Sequence, residues 1–409
     1  MPSLGRKKKK AFCKIRLPIE RCLWSIVLFL GILLGVVNIY LLRQWGHRPK
    51  SEQRTKHPIW TTSTIQSSHE KRHDSDRIES KGPLLQLLID AGMTHEYAHS
   101  VASQLPTWQQ VIARFGREPR IIGLDTCEAY NRAIPRGRRM LAAAGTFNTG
   151  TNLLAQLLQH NCIIDDRKES MQWQVNWGKH QSPKFRLNHS VHSNLVNAEM
   201  MPVVMVRDPY NWMQSMCKTR YSAHWFHVVP DHCPNFIPNE VERDWYDTPA
   251  YFVRKHYKND PWKVDNVLDK AGFSLHATVI PVRVRYKATN VYHKSLVHMW
   301  KDWNQDYYEA TFPRLMIRLE DLVYHPRVVL EEVCHCVEGT LSPNLTLPEE
   351  SAIKGGDNIH GTNRTSLVQA MYKHVHANQT RGMTYEDIQF ARKQLDDSVM
   401  TIFGYVHPS

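Results

Sequence analysis

No C-x-x-C pair occurs in the 409 residues, although the chain carries 8 cysteines. Zinc sites built on such thiolate pairs are excluded, and no metal is expected. No glycine-rich stretch ends in G-K-[ST], and no evident strand-end Asp stands ready for magnesium, which argues against a P-loop kinase. Internal repeats and a low-complexity core are missing too. Strong positive charge is scarce beyond the first 22 residues. The net charge is +13, but Arg6, Lys7, Lys8, Lys9, Lys10, Lys14, Arg16 and Arg21, set against Glu20, supply about half of it. The remainder is only mildly basic, so a nucleic-acid partner is not expected.

Charge is absent altogether from Leu23 to Leu42, a run that reads L-W-S-I-V-L-F-L-G-I-L-L-G-V-V-N-I-Y-L-L. As a helix it would reach about 30 Å, the thickness of a bilayer's hydrocarbon core. Arg43-Gln44-Trp45 offers no small-residue cleavage site, so the run reads as a signal-anchor and not a removed signal peptide. The basic residues before it stay cytosolic under the positive-inside rule, which places the rest of a single-pass type II chain in the lumen. The expected organisation is a cytosolic tail (1–22), a transmembrane helix (23–42), a polar disordered stem (43–81), a helical lead-in that packs on the catalytic domain (82–138), and that domain itself (139–409). Lumenal placement makes Asn188, Asn344, Asn363 and Asn378 candidate glycosylation sites, each followed by the x-[ST] of a sequon. It also favours disulfides among Cys127, Cys162, Cys217, Cys233, Cys334 and Cys336. Cys217 with Cys233 would close a loop, Cys334 and Cys336 stand too close to prefer each other, and the remaining pairing is open.

The most informative stretch is Gly145-Thr146-Phe147-Asn148-Thr149-Gly150-Thr151-Asn152. An apolar run, Arg139 to Ala144, reads as a buried strand before it, and Leu153, Leu154, Leu157 and Leu158 read as one face of a helix after it. Glycines at such a junction permit a sharp turn, and the first helical N–H groups converge with the positive end of the macrodipole on one point. That is a phosphate cradle with threonine hydroxyls added. A second strand, Pro202 to Val206, ends in Arg207-Asp208-Pro209-Tyr210 and opens a helix carrying Trp212, Met213, Ser215 and Met216. An arginine fork and a hydroxyl aimed at one point suit a phosphate monoester.

Together, G-T-F-N-T-G-T-N and V-R-D-P-Y-N-W-M-Q-S resemble the two nucleotide-binding signatures of the sulfotransferase superfamily, on its membrane-bound, carbohydrate-acting side. A third block, Trp300 to Cys336, is similar to the superfamily's helix, then a strand from Leu315 to Leu319 ending in Glu320-Asp321-Leu322, then a Pro-started helix. The resemblance implies an α/β fold with a P-loop-like parallel sheet flanked by helices, behind the transmembrane helix and stem. It implies 3′-phosphoadenosine 5′-phosphosulfate as co-substrate, the loop 145–152 holding its 5′-phosphosulfate and Arg207 with Ser215 its 3′-phosphate. Lys354-Gly355 resembles a later segment that closes over that 3′-phosphate. The expected activity is transfer of a sulfonate to a hydroxyl or amine of a glycan in the Golgi lumen, with a lumenal P-loop-type kinase or a non-catalytic glycan-binding protein as alternatives.

Lys168-Glu169 resembles the Lys-Glu pair of heparan-type members, in which the glutamate is the general base. His180 is the competing base, since imidazole titrates near neutrality without special burial. Asn148 departs from the pattern, because most members carry Lys or Arg there. Lys168, Lys179 or Arg139 would have to supply that charge. Between Ser222 and Lys270 no period is visible, and Met383 to Tyr405 reads as one closing helix.

Overall fold

The computed structural model describes residues 80–164, 170–246, 250–256, 258–259, 278–286, 289–346 and 364–408. The basic tail, the apolar run Leu23 to Leu42 and almost all of the stem lie outside the described residues. Among the described residues no helix is long and apolar enough to cross a membrane.

The first elements are α1 (Gly82–Asp90), α2 (His95–Ser100), α3 (Trp108–Phe115), β1 (Ile121–Ile122) and α4 (Cys127–Ala133). A capping box starts α3: Thr107 Oγ1 accepts from Gln110 N–H while Gln110 Oε1 accepts from Thr107 N–H. Next come β2 (Met140–Gly145), α5 (Thr151–Asn161), β3 (Cys162–Ile163), β4 (Met171–Gln172), β5 (Met200–Val206) and α6 (Pro209–Lys218). The stretch without a visible period holds β6 (Ala223–Trp225), α7 (Glu240–Tyr246) and α8 (Ala250–His256), followed by β7 (Val282–Tyr286) and β8 (Thr289–His293). The chain continues with α9 (Leu296–Tyr308), β9 (Leu315–Arg318), α10 (Leu319–Tyr324), α11 (Pro326–His335) and β10 (Thr340–Leu341). Last come α12 (Arg364–His376), α13 (Tyr385–Gln394) and α14 (Asp397–Phe403).

The main sheet runs β1-β9-β5-β2-β4, with β9, β5, β2 and β4 parallel and β1 antiparallel at the edge. Every residue of β2 and β5 is buried. Alternation decides which face each serves: Ala142, Ala144, Val204 and Val206 join one core with Trp212, Trp300 and Trp303. Leu141, Ala143, Val203 and Met205 join the other with Leu84, Val111, Leu154 and Leu330. A mixed α/β fold with helices on both faces of a parallel-containing sheet results, as strands without a polar face require. From β2 the chain crosses through α5 to β4 on one side, and from β5 it proceeds to β9 on the other. The winding therefore reverses between β2 and β5, and it is outside the carboxyl ends of the strands at such a switch point that open α/β sheets form a ligand crevice.

Two expectations need correction. The closing helix is broken in two, because Asp396 accepts from Val399 N–H and caps α14 afresh. The strand expected from Leu315 to Leu319 stops at Arg318, and Leu319 begins α10. The six cysteines stand in three pairs at disulfide distance: Cys217 with Cys233, Cys127 with Cys336, and Cys162 with Cys334, with Cα separations of 5.9, 5.0 and 5.7 Å.

Candidate functional site

The turn after β2 is built around backbone that ordinary side chains avoid. Gly150 is the N-cap of α5 at φ +82°, and Asn148 sits at φ +61°, a region that asparagine tolerates better than most residues. A Cβ on Gly150 would meet Leu319 Cδ1 at 2.7 Å, and one on Gly145 would meet Thr149 Oγ1 at 2.5 Å. With glycine at the cap, no side chain satisfies the first turn of α5. The N–H groups of residues 147–151 have no hydrogen-bond partner among the described residues. Thr146 Oγ1 is buried and equally unpartnered. Such a set of oriented donors at a helix start fits an anion.

Arg207 closes the second side. It follows the last residue of β5 and donates from Nη1 to the Asn148 carbonyl at 2.9 Å, while its buried Nε has no partner. Asp208 does not pair with it. The Asp208 carboxylate instead caps α6, accepting from Asn211 N–H at 2.9 Å and from Gln379 Nε2 at 2.7 Å. Burial first, then the neighbouring Glu320 carboxylate, raises Asp208 to about 6. Burial lowers the Arg207 pKa, against the pull of Glu320 and Asp208. His374, on α12, is buried 3.6 Å from Glu320 Oε1, and burial together with the charges of Arg207 and Arg114 pushes it down to about 3. It is neutral at physiological pH. Ser215 is half-buried on α6, and its hydroxyl makes no hydrogen bond to Arg207.

The basic residue missing at Asn148 has a structural explanation. The Asn148 amide donates to the Thr219 carbonyl at 2.7 Å and contacts Met216 Sδ at 3.2 Å, so it ties the loop to the end of α6. Of the three cations considered, Arg139 is removed. It lies just before β2, at the end opposite the loop, and its guanidinium is engaged by Glu338 at 2.6 Å and by the carbonyls of Ile134 and Asn131. Lys179 is brought to the loop: its Nζ donates to Asn152 Oδ1 at 2.7 Å and lies 4.1 Å over the Trp173 ring. Lys168 and Glu169 lie outside the described residues, as do Lys354 and Gly355.

His180 stands against the loop itself. Its Nδ1 is 2.7 Å from the Gly145 carbonyl, which can only accept, so Nδ1 carries the proton and the lone pair of the neutral ring is on Nε2. The ring packs 4.7 Å from Phe147, and Trp303 Nε1 holds the His180 carbonyl at 3.0 Å. Phe147 is fixed in turn by Trp212 Nε1 donating to its carbonyl at 2.6 Å.

Sequence reasoning missed Arg114, His374 and Gln379, which reach the site from α3, α12 and the segment after it. Nothing local in the sequence marks them, since tertiary packing alone brings them near Asp208 and Glu320. It also overlooked His95-Glu96-Tyr97-Ala98-His99, which has the H-E-x-x-H spacing of zinc enzymes. Both histidines are exposed on the six-residue α2, and no group of three metal-ligating side chains exists among the described residues. Of the sequons, Asn188, Asn344 and Asn378 are exposed, and Asn363 lies outside the described residues. No protein-family model, curated protein or solved structure matches the chain.

Proposed function

We propose that the crevice between β2 and β5 binds 3′-phosphoadenosine 5′-phosphosulfate and that the protein moves its sulfonate to a hydroxyl of a glycan. The observation that carries this reading is the meeting of two anion-type turns on adjacent strands, joined by the 2.9 Å bond from Arg207 to the Asn148 carbonyl. The donors of residues 147–151 and Thr146 Oγ1 suit the 5′ end, with Lys179 adding the charge that Asn148 lacks. Arg207 Nε, with Ser215 nearby on α6, suits the 3′-phosphate. The bound donor supplies an electrophilic sulfur whose bond to the 5′-phosphate oxygen breaks as the acceptor oxygen attacks in line. His180 Nε2, or Glu169, takes the acceptor proton as the new O–S bond forms. Lys179 and the loop N–H groups hold the charge that develops on the departing phosphate oxygen.

The kinase alternative needs a magnesium carboxylate at a neighbouring strand end. Asp208 occupies that place but caps α6 and binds Gln379, which favours the sulfotransferase reading. The third reading, a glycan-binding protein without turnover, loses its main support once Lys179 stands in for the missing cation. The deciding experiment offers radiolabelled phosphosulfate donor and polysaccharides to the purified full chain. Label transferred to a glycan supports the reading, whereas donor binding without transfer overturns it in favour of the non-catalytic one.

Golgi-lumenal, type II placement belongs to the same proposal and rests on the charge-free run Leu23 to Leu42 behind the basic tail. Glycosidase treatment should then increase electrophoretic mobility through glycans at one or more of Asn188, Asn344, Asn363 and Asn378. An unglycosylated protein from secretory-pathway expression would contradict that placement.

A further inference from the structure

Tyr221 stands out beside the loop. It adopts φ +53°, a conformation that a bulky aromatic residue takes only when its surroundings impose it, and strain of this kind gathers at ligand sites. Yet the residue is 52% exposed. The surroundings that impose the conformation are the loop's own. The Asn148 amide holds the Thr219 carbonyl, two residues before Tyr221, and Ala223 N–H bonds the Arg220 carbonyl at 3.0 Å to close the turn. The Tyr221 ring lies stacked on Phe147, with centroids 5.4 Å apart and planes at 20°. Phe147 in turn contacts His180, so an aromatic row leads from the candidate base out to an open ring face.

We propose that the open face of Tyr221 is a stacking subsite for a pyranose ring of the acceptor, set to the side of the unit that reacts. This rests on the sulfotransferase reading and deepens it. Phe147 is buried between its two neighbours and has no face to offer, whereas Tyr221 presents an apolar ring with a polar tip, the amphipathic surface that suits a sugar's C–H face beside its hydroxyls. The departure at Asn148 acquires a role in the same picture: its short amide donates to the Thr219 carbonyl and ties the segment carrying Tyr221 to the loop. The arrangement favours an oligosaccharide over a monosaccharide, because Phe147 stands between His180 and Tyr221 and contacts both.

The test uses the full chain in detergent, saturated with 3′-phosphoadenosine 5′-phosphate and titrated calorimetrically with unsulfated hexasaccharides of chondroitin, heparosan and poly-N-acetyllactosamine. Tyr221→Ala should weaken the best-bound hexasaccharide about tenfold, the size expected of one lost stacking contact. Tyr221→Trp should restore it. Tyr221→Asn tolerates the positive φ but has no ring, so it should behave like Tyr221→Ala even where the alanine variant folds poorly. Nucleotide affinity should be the same in all three. Hexasaccharide affinity unchanged in the ringless variants, or no hexasaccharide bound by the parent, overturns the proposal. A loss of nucleotide affinity would instead assign the ring to adenine and overturn it as well. Sulfonate transfer with an unchanged KM in Tyr221→Ala leaves the transferase reading standing and removes the subsite. Tyr221-dependent binding without any transfer does the reverse.

Discussion

Two buried polar clusters in this protein differ in how completely their groups are paired. In the first, His232 lies between two carboxylates, Nδ1 at 3.0 Å from Glu242 Oε2 and Nε2 at 2.7 Å from Asp387 Oδ2. Asp387 also accepts from the N–H groups of Phe236 and Ile237, and Glu242 Oε1 accepts from Asn235 Nδ2. The cluster pins the irregular segment after β6 to α7 and α13. In the second, at the ends of β2 and β5, Thr146 Oγ1, Arg207 Nε, Arg114 Nε and His374 Nδ1 are buried without hydrogen bonds. An unpaired buried polar atom costs about 1–3 kcal/mol, so several gathered at one strand end mark a place where added hydrogen bonds would be most favourable. The first cluster closes on itself, whereas the second leaves donors and acceptors open, as the proposed nucleotide site requires.

The comparison breaks most visibly in catalysis. His180→Asn or Glu169→Gln, whichever removes the true base, should lower the transfer rate by about 10²–10⁴ with nucleotide affinity nearly intact. Steady-state rates of the two variants decide between them, and full activity in both would remove the base from this side of the crevice.

Next in size is the stability of the paired cluster. Asp387→Ala would strip His232 of one counter-ion and leave the backbone N–H groups of Phe236, Ile237 and Thr384 without their carboxylate, a change that costs about 3–5 kcal/mol for a broken buried pair. Urea denaturation measures it. Because His232 bridges α7 and α13, the loss should appear as a lower denaturation midpoint, and a midpoint equal to the parent's would show that the cluster adds nothing to stability.

A smaller effect appears on raising the pH. Burial alone would lower the His232 pKa, but the hydrogen bonds it donates to Asp387 and Glu242 outweigh it and raise the ring to about 9. A folded-state pKa above the unfolded value contributes stability that is complete below about pH 6.5 and is lost as the pH rises through about 9. Denaturation midpoints should therefore fall across that window in the parent and stay flatter in His232→Gln. Equal slopes would show that the ring is not charged in the folded protein.

Much of the crevice was legible in the sequence because its parts are local. A continuous apolar run, a glycine turn and a helical face give β2, the loop and α5, and V-R-D-P gives the end of β5 with its capped helix. The segment around β6 was not, because β6 has only three residues and its partner β7 lies more than fifty residues away. Which basic residue stands at the loop was also hidden: Lys179 and Arg139 look alike in sequence, and only the fold places one at the loop and the other among the carbonyls before β2. The break after Leu395 did have a signal, Asp396 preceding Val399, which the continuing apolar spacing masked.

The central claim is that the unpaired cluster recognises a nucleotide bearing phosphates at both 3′ and 5′ positions. It is tested most directly by calorimetric titration of the full chain and of Arg207→Ala with 3′-phosphoadenosine 5′-phosphate, using ADP for comparison. The account predicts that the 3′-phosphorylated nucleotide binds the parent more tightly than ADP. Arg207→Ala should weaken it about tenfold or more, as loss of a charge-assisted bond of roughly 1.5–3 kcal/mol implies, and should weaken binding more than it weakens folding. Equal affinities for the two nucleotides, or equal affinity in parent and variant, would contradict it.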